Sequence, residues 1–394
     1  MSGVMTTYDV EGARARFASL RGDAGPAFFD TPGGSQVPDA VREAIAATMR
    51  DAAANLGGTF AASRRVAQIV ADARAAAARF LGCSAGEVIF GQNMTTINFA
   101  LSRVMARELR AGDEIVVTRL DHDASVSPWI AIAEDVGATV RTVEIDEATC
   151  TLDWDDLEAK VGGRTRVVAF SWAANSVGTV IDAARVCRLA HAAGALAWID
   201  ATHYAAHRPV DVRAIDADVL VCSPYKFCGP HMGLAYARAD VAQTWRPYKV
   251  RPAPTEPAGS RFETGTQPYE QLAGFVEAID YWETVDASGA GHAWARALGD
   301  RFLAGLPASV RLIGTPASDD RVPTFLLGFG DRDAAPVSDA LAGRGFNVTA
   351  SESFYCLGLR DLIGSRKAVR VGLFHYTTAA EVDGLLAALA DLAR

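Results

Sequence analysis

A carboxylate and an amine, Asp200 and Lys226, each stand at the end of an apolar run. The run over 195–199 ends on Asp200, and the run over 218–222 empties into Ser223-Pro224-Tyr225-Lys226. A third run, 233–236, follows a Gly229-Pro230 turn. Runs of this length predict buried parallel strands, and ligands in open α/β sheets lie beyond the carboxyl ends of such strands. Lysine is scarce, occurring only at 160, 226, 249 and 367. Lys160 falls in the charged helical segment WDDLEAKVG, Lys249 in a Pro- and Arg-rich loop, and Lys367 just ahead of AVRVGLF, all solvated settings. Lys226 alone follows a buried strand directly, flanked by Tyr, Phe and Cys. Partial burial would depress its pKa and make the amine nucleophilic, as Schiff-base formation requires. The plainer alternative is a lysine snorkelling at a sheet edge.

Other chemistry-bearing residues follow predicted strands too. After EVIFG come Thr95 and Thr96, two hydroxyls at the start of a helix, where the dipole and free N–H groups favour an anion. N-capping by threonine is the alternative. After RTRVVAFSW comes Asn175, whose amide can donate to a carboxylate or a cofactor oxygen, or merely form a turn. Arg370 sits inside the strand VRVGLFHY, where an unpaired charge is costly, so a bidentate clamp on a substrate carboxylate is its expected purpose. His375 and Tyr376 lie on that same predicted strand as structural residues. The small residues 31–35 form a turn that could border a ligand.

Taken in order from about 28 to 378, these motifs resemble fold-type I pyridoxal-phosphate (PLP) enzymes of the class V aminotransferase superfamily, within them the cysteine desulfurase-like branch. The resemblance implies a role for each position. Lys226 would carry the cofactor and Asp200 keep its pyridine nitrogen protonated, so that the ring can act as an electron sink. Thr95, Thr96 and Ser223 would hold the phosphate, His122 would stack on the ring, and His203 would bond the phenolic oxygen. Thr266, in the FETGT turn, would serve the phosphate of a neighbouring subunit, which makes the enzyme a homodimer. Two positions depart from the family: Asp123 stands where desulfurases usually carry a second histidine, and His203 where many have glutamine.

The reaction depends on the segment NVTASESFYCLGL. Desulfurases place a sulfur-accepting cysteine there; alignment from Gly345-Phe346 puts Phe354 at that position and Cys356 two residues later. Three readings follow. The first is C–S cleavage of cysteine or a cysteine conjugate, by β-elimination or with Cys356 as acceptor. In the second, Phe354 and Tyr355 shape a pocket for a specialised-metabolite amino acid undergoing elimination, epimerisation, transamination or oxidative decarboxylation. The third is a non-catalytic interaction protein, against which the joint presence of Asp200, Lys226 and Arg370 argues.

The elements that must position these residues alternate as strand and helix, which predicts an α/β fold with a mostly parallel sheet flanked by helices. Helices are expected over 10–20, 39–49, 66–81, 154–161, 269–285, 337–342 and 380–392, and strands over 138–146 and 368–376. The expected division is an N-terminal segment (1–25) packing on a small domain, a large cofactor-binding domain (26–268), and a linking helix with a small α/β domain (269–394).

Composition narrows the partners. A net charge of −9 without a Lys/Arg block argues against nucleic acid. No apolar run approaches a membrane span, and the first residues lack a signal core, so a cytoplasmic location is expected. The six scattered cysteines lack metal-binding spacing, so no metal site is expected. The expected partner is a small-molecule amino-acid substrate.

Overall fold

The computed structural model describes residues 8–22, 25–286, 288–364 and 366–392; the first seven residues of the N-terminal segment lie outside them. Seven strands form the central sheet: β1 (Val88–Gly91), β2 (Glu114–Thr118), β3 (Thr139–Val143), β4 (Thr165–Ser171), β5 (Leu196–Asp200), β6 (Val219–Cys222) and β7 (Gly233–Ala237). Their spatial order is β1-β7-β6-β5-β4-β2-β3. β7 alone runs opposite to the other six.

Continuous apolar strands need cover on both faces, and alternate side chains supply two cores. Val168, Phe170, Ile199 and Leu220 join one cluster; Val167, Ala169, Trp198 and Val221 join the other. On the first face Ala73, Ala76 and Ala77 of the helix Ala61–Leu81 are fully buried, and their small side chains let that helix pack closely on Tyr269–Asp286. On the second, Trp198 meets Trp129 edge-on at 4.8 Å and donates its indole N–H to Asn98 Oδ1 at 2.8 Å.

The chain moves outward from β2 to β3, then returns across β2 to β4 and proceeds the other way through β5 and β6. The reversal between β2 and β4 opens a crevice beyond the strand ends. Asp121 ties that crevice together, accepting the N–H of Thr118 at 2.7 Å and of Ser171 at 2.6 Å. Burial pushes its carboxyl up to about 7, against these hydrogen bonds. Across β4 and β5, Ser171 pairs with Asp200, so both side chains emerge at one level.

The small domain is a four-stranded antiparallel sheet of β8 (Arg311–Ile313), β9 (Thr324–Gly328), β10 (Thr349–Ser351) and β11 (Ala368–Gly372), ordered β8-β9-β11-β10. Phe302, Phe325, Val369, Val371 and Leu385 form its core. Arg370 alternates with the two valines and so faces the opposite side. Ala27–Phe28 pairs in parallel with Phe346–Asn347, and Asp30 bridges to Gly372, so this stretch hydrogen-bonds to the small domain.

Three elements differ from expectation. The first helix stops at Arg14 and resumes only as a turn, Ala18–Leu20, because Phe17 inserts edge-on between Tyr281 (5.2 Å) and Tyr376 (5.4 Å). The strand expected over 138–146 breaks at Glu144, whose N–H turns to Asp156 Oδ2 at 2.7 Å. The strand through Arg370 ends at Gly372, where an added Cβ would lie 2.2 Å from Pro32, so His375 and Tyr376 fall beyond it. Both are buried, with His375 Nε2 2.7 Å from Tyr281 Oη.

Candidate active site

Lys226 ends the one-turn helix Pro224–Lys226 after β6 and projects into a cavity of about 650 Å³ at the strand ends. Its amine donates to the Pro32 carbonyl. Burial lowers its pKa to about 7; Arg370 adds to the fall, and Asp200 opposes it. Asp200 closes β5 and lines the same cavity, 5% exposed. Its Oδ2 accepts from Ser125 Oγ at 2.8 Å and its Oδ1 from the Thr202 N–H at 2.9 Å. The carboxylate is thus held in one orientation.

Opposite them the helix Met94–Met105 begins. Asn93 caps it, its Oδ1 accepting the Thr96 N–H at 2.8 Å and the Thr96 hydroxyl at 2.7 Å. Ser223 Oγ accepts the Met94 N–H at 3.1 Å, joining the turn after β6 to the helix start. Gly233 lets the turn sit this close: an added Cβ would lie 2.5 Å from the Asn93 carbonyl carbon. Thr95, Thr96 and Ser223 all line the cavity at this N-terminus, the expected anion site.

His122 lines the cavity from the switch point. Its Nδ1 accepts the Ala124 N–H at 3.1 Å, which leaves Nε2 to carry the proton of the neutral ring. Burial lowers its pKa, with Lys226 and Arg370 acting the same way and Asp200 and Asp123 opposing. Arg370 is 7% exposed and donates to the Asn175 carbonyl at 3.0 Å. Burial brings even this guanidinium down to about 10, with Asp30 opposing.

The structure brings Thr95, Thr96, His122, Asn175, Asp200, His203, Ser223 and Lys226 around one cavity. His203 reaches it with one nitrogen already engaged, Nε2 lying 2.9 Å from Thr324 Oγ1. Thr266 lines an adjoining cavity of about 1040 Å³, which shares Asn93, Thr96, Tyr225 and His231 with the first. Cys356 is placed otherwise than a sulfur acceptor requires. It is fully buried, its thiol donates to the Arg119 carbonyl at 3.4 Å, and burial pushes its pKa up to about 12. Phe354 and Tyr355 also stand outside the cavity lining: the first lies under Arg370 and the second stacks on His122. Sequence reasoning missed Ser125, Asp121 and the Pro32 carbonyl. Ser125 lies 75 positions from the carboxylate it serves, and a carbonyl has no sequence signature.

The donor set fits pyridoxal phosphate. An amine and a fixed carboxylate share the cavity with a hydroxyl-lined helix start. Ser171 Oγ, Thr202 Oγ1 and Asn175 Oδ1, all on lining residues, are buried without a hydrogen-bond partner, as polar groups awaiting a ligand would be. The profile of the Aminotransferase class-V family matches residues 27–385. An uncharacterized protein of Mycobacterium tuberculosis is 31% identical over 404 residues, with 98% of this chain and 99% of that one covered. A Haloferax volcanii protein named cysteine desulfurase is 28% identical over 385 residues, covering 93% of this chain and 89% of its own. The apo structure of cysteine desulfurase from Thermococcus onnurineus NA1 shares the fold with a TM-score of 0.90 at 23% identity, 97% of each chain being covered. With the site and the matches in agreement, the chain belongs to the class-V aminotransferase family and is a pyridoxal-phosphate-dependent enzyme.

Proposed function

We propose that this enzyme cleaves the C–S bond of cysteine or a cysteine S-conjugate by β-elimination, without passing sulfur to a protein thiol. The relatives named cysteine desulfurase support the bond. The observation that carries the route is Cys356: its thiol is buried against the Arg119 carbonyl with its pKa pushed up to about 12, so almost none is thiolate at neutral pH.

Bound pyridoxal phosphate supplies a sink for the electrons left at Cα. The chain's residues do the rest. Lys226, with a pKa of about 7, is substantially neutral at physiological pH and takes the Cα proton as general base. Asp200, fixed by Ser125 and Thr202, is the anion that keeps a ring nitrogen protonated. Thr95, Thr96 and Ser223 would hold the phosphate, His122 would pack on the ring, and His203 would offer its remaining nitrogen to the phenolic oxygen. Arg370, with Asn175, binds the substrate α-carboxylate. The Cβ–S bond would then break, and the leaving thiolate would take up the proton that Lys226 removed from Cα.

The test is product analysis with the holoenzyme on L-cysteine and a series of S-conjugates. Pyruvate and ammonia should appear in equal amounts with the released thiol or sulfide, and Cys356→Ala should keep the rate. Loss of sulfide release in Cys356→Ala, with pyridoxal phosphate still bound, would instead identify a persulfide route. Conversion of an amino acid lacking a Cβ–S bond, and of none that has one, would favour the specialised-metabolite reading.

Two further points belong to this proposal. The enzyme acts as a homodimer, with Thr266 in the adjoining cavity serving the neighbouring subunit's phosphate site. It works in the cytoplasm, where a reducing milieu suits six cysteines that are all free thiols. No helix among the described residues is long and apolar enough to cross a membrane.

A further inference from the structure

We infer that Phe354 and Tyr355 are positioning residues, each using its carbonyl and its ring to fix two groups of the site. The Phe354 carbonyl accepts from Asn175 Nδ2 at 2.9 Å, and its ring lies 4.3 Å from the Arg370 guanidinium carbon. The Tyr355 carbonyl accepts the Asp123 N–H at 2.6 Å, and its ring stacks on His122 with centroids 5.4 Å apart and planes 23° from parallel. One dipeptide of the small domain therefore touches the candidate carboxylate clamp, its amide partner and the ring-stacking imidazole.

The backbone supports a functional origin. Phe354 has φ +51° and Tyr355 φ +60°, a region that bulky L residues rarely adopt. Such conformations persist where the surroundings over-determine them, and they cluster at functional sites. Here the surroundings are explicit. Ser351 Oγ accepts the Phe354 N–H at 3.2 Å and Ser353 Oγ the Tyr355 N–H at 3.3 Å. On the far side Gly358 presses on Arg119, where an added Cβ would lie 2.4 Å from the carbonyl oxygen, and its own carbonyl accepts from Arg119 Nε at 2.9 Å. Tyr355 remains 71% exposed, so burial of its ring adds little to folding. What the ring does is shield the outer side of His122 from water. That imidazole is faced by Asp123 on its own loop, Asp200 from β5, Lys226 from the turn after β6 and Arg370 from β11. Burial is the main cause that lowers its pKa, with Lys226 and Arg370 acting the same way, so opening its outer side to water would raise it.

The test for Tyr355 needs no substrate, so its failure is distinct from failure of the proposed reaction. The pKa of His122 is measured by NMR in the full-length protein, its resonance assigned by loss in His122→Asn. Tyr355→Phe should titrate like the parent, whereas Tyr355→Ala should titrate about one pH unit higher, toward the ordinary value. Tyr355→Gly should behave like Tyr355→Ala although it relieves the backbone, which separates loss of the ring from relief of strain. An unchanged titration in both the Ala and Gly variants would overturn the assignment, as would an equal shift in Tyr355→Phe. The Phe354 arm rests on Arg370 binding the substrate carboxylate. Phe354→Ala should raise KM about fivefold with kcat retained, and Phe354→Tyr should restore KM. A fall in kcat with KM unchanged would overturn it.

Discussion

On one side of the cavity Ser171 and Asp200 close parallel strands at one level set by register, and Lys226 follows β6 on a one-turn helix, all in ordinary backbone. Behind the lining, Phe354 and Tyr355 reach across from the small domain in left-handed backbone and touch Arg370 and His122. The first wall owes its geometry to the sheet, and its side chains face the cavity. The second owes its geometry to local hydrogen bonds, and its side chains face other side chains. The candidate reacting groups belong to the sheet-borne set, and the loop-borne pair touches them from behind.

Variants of the strand-borne wall should have the largest effects. Lys226→Ala should lower turnover by roughly 10²- to 10⁴-fold, and borohydride should no longer fix pyridoxyl mass at this position. Retention of the label would mean that another amine carries the cofactor. Acid should act through the same amine. Capture of pyridoxal phosphate needs the neutral form, and burial sets the pKa at about 7, so uptake by the apoprotein should level off above pH 7 and fall below it. At pH 5 it should be about a hundredfold slower than at pH 8. An uptake midpoint near pH 10 would show that burial does not act on this amine. Ser125→Ala removes one donor to Asp200 without touching its charge, and should reduce turnover about tenfold, measured as kcat. An unchanged kcat would mean that Thr202 alone orients the carboxylate. The smallest effect belongs to the loop: Cys356→Ala should leave turnover unchanged and lower stability by about 1 kcal/mol, seen as a lower denaturant midpoint. Loss of turnover there would collapse the contrast, because the loop would then carry a reacting group.

Legibility in the sequence follows the same division. Strands buried on both faces leave continuous apolar runs, so β5 and β6 and the residues ending them, Asp200 and Lys226, could be placed directly. The helix start at Thr95 and Thr96 was legible through its position after a strand. Orientation across the sheet was not. Ser125 reaches Asp200 only because β2 and β5 are brought to one crevice, and Asp121 staples Thr118 to Ser171 through the same long-range geometry. The loop was least legible. Nothing in Phe-Tyr-Cys foretells two successive left-handed residues, and with them the inward turn of Cys356. The strand through Arg370 was expected to run on to Tyr376. It stops at Gly372 because the N-terminal stretch, with Pro32, arrives there, an encounter that no local pattern encodes.

The pairing of Ala27–Phe28 with Phe346–Asn347 has a consequence for how this molecule is made. During synthesis the first strand leaves the ribosome with no mate, and at ordinary elongation rates it waits some tens of seconds before its mate is translated. The Pro32 carbonyl, which receives the Lys226 amine, rides on that same waiting segment. The strand pairing that steadies that segment can therefore form only once Phe346 and Asn347 have been made, well after Lys226 itself.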